Sequence, residues 1–302
     1  MSPGLGSSRM GFFDRLKTGW TLTKDSIGVI RNHPQLLLFP LLAGMTSIAF
    51  FVLFFFPLLI ANLVGTGLEY AILFVLYFIT TFFSTYFSAA LVYGANEAFH
   101  GREPGVVDCL KAVSDRIGPI VVWSLISATV SVILKSLEES DNPVASILAS
   151  LFAIGWSIMT FFIVPVIVFE DVSVTSMFKR SGVTFKDTWG ETLGAGFGIT
   201  LIVTVLGIVL AGLALVVSIP VAAVFPGPGI LLAVLLVGGA IVFTYLLSQT
   251  IWGIAKTALY VYAAEGVTPE EFDNFDFETL GGRAERPAQT GSARKSEPWA
   301  DD

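Results

Sequence analysis

Only 14% of this 302-residue chain is charged while 54% is hydrophobic, a balance outside the range of soluble globular domains. The formal net charge of −7 describes one end of the chain, because ten acidic and four basic residues lie from Glu265 onward. The rest is near neutral and lacks interleaved basic and aromatic residues, which excludes nucleic acid as a partner; a single cysteine, Cys109, excludes an intrachain disulfide.

The first 34 residues hold no apolar run of signal-peptide length, so the first membrane segment is expected to target an uncleaved chain. They do hold a narrow apolar stripe, Phe13, Leu16, Trp20, Thr23, Ile27 and Ile30, at spacings of three and four. That is the pattern of an amphipathic helix. An apolar span of roughly 20 residues crosses the hydrocarbon core as a helix, and the first such span runs from Leu36 to Val64. The second, Tyr70 to Tyr93, carries a hydroxyl stripe of Thr81, Ser84, Thr85 and Ser88. A second amphipathic stretch, Val106, Leu110, Val113 and Ile117, leads into the third span, Ile117 to Leu137, which bears Ser124, Ser127 and Ser131.

The fourth span, Val144 to Phe169, repeats small residues every fourth position (Ala145, Ala149, Ala153, Ser157) and contains Pro165. Small faces let helix backbones approach closely where lipid supplies no hydrophobic drive. Val174, Phe178, Phe185 and Trp189 form a third amphipathic stretch, and Gly190, Gly194 and Gly198 lead into the fifth span, Leu193 to Ile219. A turn of Pro226, Gly227, Pro228 and Gly229 precedes the sixth, Ile230 to Tyr262. In the tail, Phe272, Phe275 and Phe277 alternate with acids; disorder is the favoured reading there, with a short docking segment as the alternative.

The fold class is therefore all-α, a polytopic membrane protein with six transmembrane helices and amphipathic helices before helices 1, 3 and 5. That order suggests a threefold helical-hairpin repeat. The expected organisation is an amphipathic segment over residues 1–34, a transmembrane domain over 35–264 and an acidic, mostly disordered tail over 265–302. Sixteen of the seventeen lysines and arginines fall on one side of the six-span pattern and only Lys135 on the other. Basic residues stay on the cytoplasmic side, so both termini are expected in the cytoplasm and the chain in the cytoplasmic membrane. Trp20, Trp189, Lys179 and Arg180 are the candidates for the membrane–water interface.

No acid, histidine or arginine lies near the middle of a span, which disfavours a proton relay or voltage sensor. Lys256, Glu97, Glu170 and Asp171 fall toward span ends, within reach of the interface. The hydroxyls of spans two and three have two readings, the polar lining of a solute path or interhelical glue worth about 0.6 kcal/mol per contact. With neither a charge nor a broken helix beside them in the pattern, glue is preferred. Glu97 and His100 form an ExxH pair without the further carboxylates that a di-iron site needs. Catalytic, cofactor-binding and metal-binding residues are therefore all expected to be none, and no enzyme is expected. Lipid-modifying catalysis would have to rest on Glu97, Glu170 or Asp171 alone.

The segments Pro165-Val-Ile-Val-Phe-Glu-Asp171, Met177-Phe-Lys-Arg-Ser181, Phe185-Lys-Asp-Thr-Trp-Gly-Glu191 and Ala90-Leu-Val-Tyr-Gly-Ala-Asn-Glu97 resemble an uncharacterised family of six-helix prokaryotic membrane proteins. That family carries a domain of unknown function and is common in halophilic archaea. The resemblance spans roughly residues 10 to 265 and implies topology, not catalytic or binding residues. The leading functional expectation is a non-enzymatic membrane module offering a basic, aromatic cytoplasmic surface to lipids or partners. The alternative is a permease or exporter of a small uncharged or zwitterionic solute. Expected partners are the lipid bilayer, a cytoplasmic protein met by the tail, and a second copy of the chain.

Overall fold

A computed structural model describes residues 12–60, 69–139, 142–189, 195–275 and 277. The described residues form helices joined by short turns and loops, without strands. Helix α1 (Phe12–Asn32) runs through a 3₁₀ turn, Pro34–Leu37, into α2 (Leu38–Ile60). There follow α3 (Glu69–Phe99), α4 (Val106–Ser114), α5 (Ile117–Glu138), α6 (Pro143–Met159), α7 (Ile163–Phe169), α8 (Val174–Trp189), α9 (Ala195–Val224) and α10 (Pro226–Glu265). A 3₁₀ turn, Glu270–Phe272, follows them. Six stretches are long and apolar enough to cross a membrane: Pro34–Phe56, Tyr70–Phe99, Ile117–Glu138, Val144–Phe169, Ile199–Val224 and Gly227–Glu265. The chain is thus an all-helical protein of multi-pass membrane type.

The spans pair as antiparallel hairpins, α2 with α3, α5 with α6, and α9 with α10. Their outer ends present bare apolar side chains such as Phe51, Leu151, Ile208 and Leu235, as surfaces that meet lipid must. Burial concentrates at the other end, where α1, α4, α7, α8 and the start of the tail gather on the hairpins. There the shared core includes Leu22, Phe39, Ala95, Cys109, Ile120, Phe162, Met177, Ile254 and Phe272. A helix precedes each hairpin, but the three pack differently. Helix α1 lies on α9 and α10, α4 on α3, and α8 on α6 and α7.

Local differences from the sequence pattern have physical causes. The Pro226–Gly229 stretch, expected as a turn, is the first turn of α10. Proline suits the first helical position, and N–H groups of a first turn have no intrahelical partner to lose. In α1 the buried face is Leu22, Thr23, Ser26, Val29 and Ile30, while Trp20 stays 56% exposed. At 100° per residue this face is turned by roughly a quarter of the helix circumference from the apolar stripe. The small residues Gly19 and Ser26 sit on it, both buried, and permit close approach to neighbours.

The start of the tail, up to residue 275 and Phe277, is ordered where disorder was the favoured expectation. Gly266 ends α10 in the left-handed region, φ +70°, with its N–H bonded to the Tyr262 carbonyl. Glycine carries no Cβ penalty there, and the chain turns back on the bundle. Phe272, Phe275 and Phe277 are buried, with Phe272 edge-on to Phe99 and Phe277 stacked on Tyr262. Asn274 donates to Asp25 on α1 at 3.2 Å. Three buried aromatic rings overcome the ordering cost that made disorder the simpler expectation.

Candidate functional site

The fourth apolar span is not one helix. It breaks at Thr160–Phe162, between α6 and α7, four residues before Pro165. Proline offers no N–H to the carbonyl four residues earlier, and its ring crowds that carbonyl. The break is held open from outside: the buried Ser181 hydroxyl on α8 accepts the Phe162 N–H at 3.1 Å. Non-helical backbone within a membrane span is tolerated only where protein or a polar cavity surrounds it. Both are present here.

A cavity of about 290 Å³ opens beside the break. One wall is α3, with Thr81, Ser84, Thr85 and Ser88 all facing the space; positions i, i+3, i+4 and i+7 share a helix face. Across it stand Tyr245, Gln249, Trp252, Gly253 and Lys256 of α10, and Thr160, Phe161, Ile163, Val164 and Pro165 line it with Phe87 and Trp123. Gly253 matters because a Cβ there would fall 2.4 Å from Leu91 Cδ2. The missing side chain lets α3 and α10 close on each other at the cavity floor.

The four hydroxyls on the cavity face of α3 differ from several others in the bundle, Thr80 of the same helix included. Thr80, Ser124, Thr129, Thr244 and Thr250 donate to carbonyls of their own helices at 2.6–2.8 Å. Among the described residues, the side-chain hydroxyls of Thr81, Ser84, Thr85 and Ser88 have no hydrogen-bond partner, which leaves four hydroxyls facing the cavity. Among the described residues, Lys256 is the one charged side chain in the lining. Its ammonium lies 5.0 Å from the Phe161 ring centre and 5.8 Å from that of Trp252. No carboxylate stands within ion-pair distance of it among the described residues. The premise that neither charge nor broken helix accompanies the hydroxyl stripe is therefore corrected. Lys256 points into the bundle rather than along the helix to the interface.

Other expected residues lie elsewhere. Ser124 is buried and bonded to the Ile120 carbonyl. Ser127 and Ser131 are partly buried and not in the lining. Of the small face on α6, Ala149 is buried, Ala145 and Ala153 are partly so, and Ser157 is exposed. Gly190 and Gly194 lie outside the described residues, as do the side chains of Gly198 and Trp189. Lys179 is exposed.

Arg180 and the three terminal carboxylates form pairs instead of a reactive cluster. Arg180 donates to Glu170 at 2.7 Å, and the Tyr260 hydroxyl shares the same carboxylate. The Glu170 hydrogen bond drives the Arg180 guanidinium still further above its ordinary range. Glu97 holds Arg102 by two bonds of 2.6 and 2.7 Å, and Asp171 meets Arg116 at 3.3 Å. The His100 ring is engaged by the Asn96 carbonyl at 2.8 Å.

The role of Ser181 and the inward aim of Lys256 escaped sequence reasoning. Ser181 sits in a polar-looking linker. The signal for Lys256 was available: with Tyr245, Gln249 and Trp252 it makes a polar stripe on one face of the sixth span.

Residues 67–270, more than half of the chain, match the model of a family of unknown function (DUF6159). No curated protein and no solved structure matches.

Proposed function

The chain belongs to this family of unknown function, and we propose that it binds a small solute in the cavity between α3, α7 and α10 and moves it across the membrane. The carrying observation is the convergence of four unbonded hydroxyls, Thr81, Ser84, Thr85 and Ser88, with Lys256 beside a broken helix. Broken helices and inward polar groups near a bundle interior are the means by which carriers build sites. The basic-side bias supports the cytoplasmic membrane with both termini inside. The act is one of binding and passage, not of catalysis. The helix-then-hairpin order supports a threefold repeat, and the acidic tail suits the high-salt cytoplasm of a halophilic archaeon.

Uptake into proteoliposomes tests this reading, with labelled glycine, alanine, benzoate and salicylate as probes. The expected result is saturable uptake of at least one probe, reduced at least tenfold by the combined changes Thr81→Val, Thr85→Val and Ser88→Val. Uptake no faster than in empty vesicles for every probe, or unaltered in the triple variant, contradicts it.

A second reading is favoured by the exposed Trp20 on α1 and exposed Lys179 on α8. In that reading the protein is a packing module whose basic and aromatic end meets anionic lipid, a cytoplasmic protein or a second copy. Recovery of a protein partner that depends on the tail, without any flux, would favour it.

A further inference from the structure

We propose that the ligand of this cavity is a small, flat monoanion, a singly charged oxyanion carried on an apolar body, with Lys256 as its counter-ion. The inference rests on reading the cavity as a solute site and names the chemical class that the site selects. An ammonium removed from water carries a penalty of several kcal/mol unless it is paired. The rings of Phe161 and Trp252 return about 0.5–2 kcal/mol through their π faces, short of that penalty. The carboxylate of Glu170, at the end of α7, is held by Arg180 and Tyr260. Among the described residues the cavity therefore presents one positive charge and no negative one, and electrostatic complementarity calls for one negative charge on the ligand.

The remaining walls define the rest of the molecule. One side offers hydroxyls, which donate to further oxygens. The lining also includes the aromatic rings of Phe87, Trp123, Phe161 and Trp252, surface that favours a planar apolar body over a polyol or a bare inorganic ion. About 290 Å³ lies at the small end of ligand cavities, which run from about 300 to 1,000 Å³. A single-ring acid fits such a space, whereas a diacyl lipid could place only its headgroup there. A uniformly neutral or zwitterionic ligand leaves Lys256 without net compensation.

The same chemistry comes from two sources, a soluble organic acid or an anionic lipid, and the test separates them. Full-length protein in neutral detergent is titrated with labelled benzoate, salicylate and benzenesulfonate, then challenged with benzamide and benzylamine. At least one oxyanion is expected to bind saturably, with the amide and the amine at least tenfold weaker. Lys256→Met, which replaces the cation by an apolar chain of similar length, should keep its melting temperature and lose at least tenfold in affinity. Lys256→Arg should recover most of the loss. Displacement of the bound oxyanion by oleate or phosphatidylglycerol assigns the site to a lipid anion; resistance to both assigns it to a soluble acid.

The proposal is overturned if no oxyanion binds saturably, if benzamide competes as well as benzoate, or if folded Lys256→Met binds like the parent. Should that variant fail to fold, the oxyanion-against-amide comparison on the parent protein decides. Flux of glycine or alanine without oxyanion binding would sink this inference and leave the transport reading standing. Oxyanion binding without flux of any probe would do the reverse.

Discussion

Cys109 shows how one side chain's surroundings decide its use. It is 1% exposed on α4, and burial, helped by the charges of Glu97 and Asp108, pushes its thiol up to about 11. Only the thiolate attacks, so Cys109 should react at least tenfold more slowly with an impermeant maleimide at pH 7 than an unfolded control. Its rate should climb as the pH approaches 11. Labelling at the control rate at pH 7 would show the thiol to be accessible. A better reporter of sidedness is Val107→Cys in a Cys109→Ala background, because Val107 is 61% exposed. Labelling of that variant from the outer face would contradict the proposed orientation. The hydroxyl stripe of α3 was legible residue by residue, because period 3.6 puts Thr81, Ser84, Thr85 and Ser88 on one face. Whether such hydroxyls turn to their own carbonyls or to a cavity is set by neighbours on other helices, and a single helix's pattern does not contain that.

The decisive element is the broken fourth span. Pro165 removes one backbone donor, and Ser181, brought in by α8, satisfies another at Phe162. Replacing Ser181 by alanine should leave the Phe162 N–H buried and unpaired, a loss of about 1–3 kcal/mol to be read as a lower melting temperature in detergent. Pro165→Ala should act in the opposite sense on stability, because it restores the missing N–H and allows α6 and α7 to join. It should also diminish binding in the cavity by reshaping the Thr160–Pro165 wall. A Pro165→Ala protein that binds as the parent does would show that the break is incidental. Six spans and three linking helices could be read from hydropathy and spacing, since both are local properties. The break could not, because Pro165 alone permits a kink, a bend or an interruption, and only Ser181 on another helix selects among them. The apolar stripe of α1 is not the face that packs on the bundle, for a related reason. Hydropathy finds the apolar stripe that includes Trp20, whereas packing took the face of small residues around Ser26.

Across the whole molecule, the tail ties the first helix to the last. Asp25 on α1 and Glu271 in the tail are both acids whose pKa values burial raises above the ordinary carboxyl range. Asn274 and Lys24 partly oppose the shift at Asp25, and Asp273 adds to it; at Glu271, Glu270 adds, while His33 and His100 oppose. An acid with a raised folded pKa binds its proton more tightly when docked. Docking strength is therefore gained as pH falls toward the folded values and lost as pH rises through them. Hydrogen-exchange protection of residues 270–275 should accordingly increase from pH 7 to pH 5, and Asp25→Asn should flatten that dependence. Protection that falls over the same interval would contradict the buried-acid account. The alternating phenylalanines hinted at this contact, but the surface that receives them is assembled from α1, α3 and α10. No stretch of neighbouring sequence displays it.

The direction of the Lys256 side chain decides whether the cavity holds a cation, and an experimentally determined structure of the full chain in lipid nanodiscs measures it directly. The expected result is an interruption of the fourth span at Thr160–Phe162, with the Lys256 ammonium inside the bundle between Phe161 and Trp252 and opposite Thr85 and Ser88. A continuous fourth helix, with Lys256 extended outward to the lipid headgroups, would contradict it.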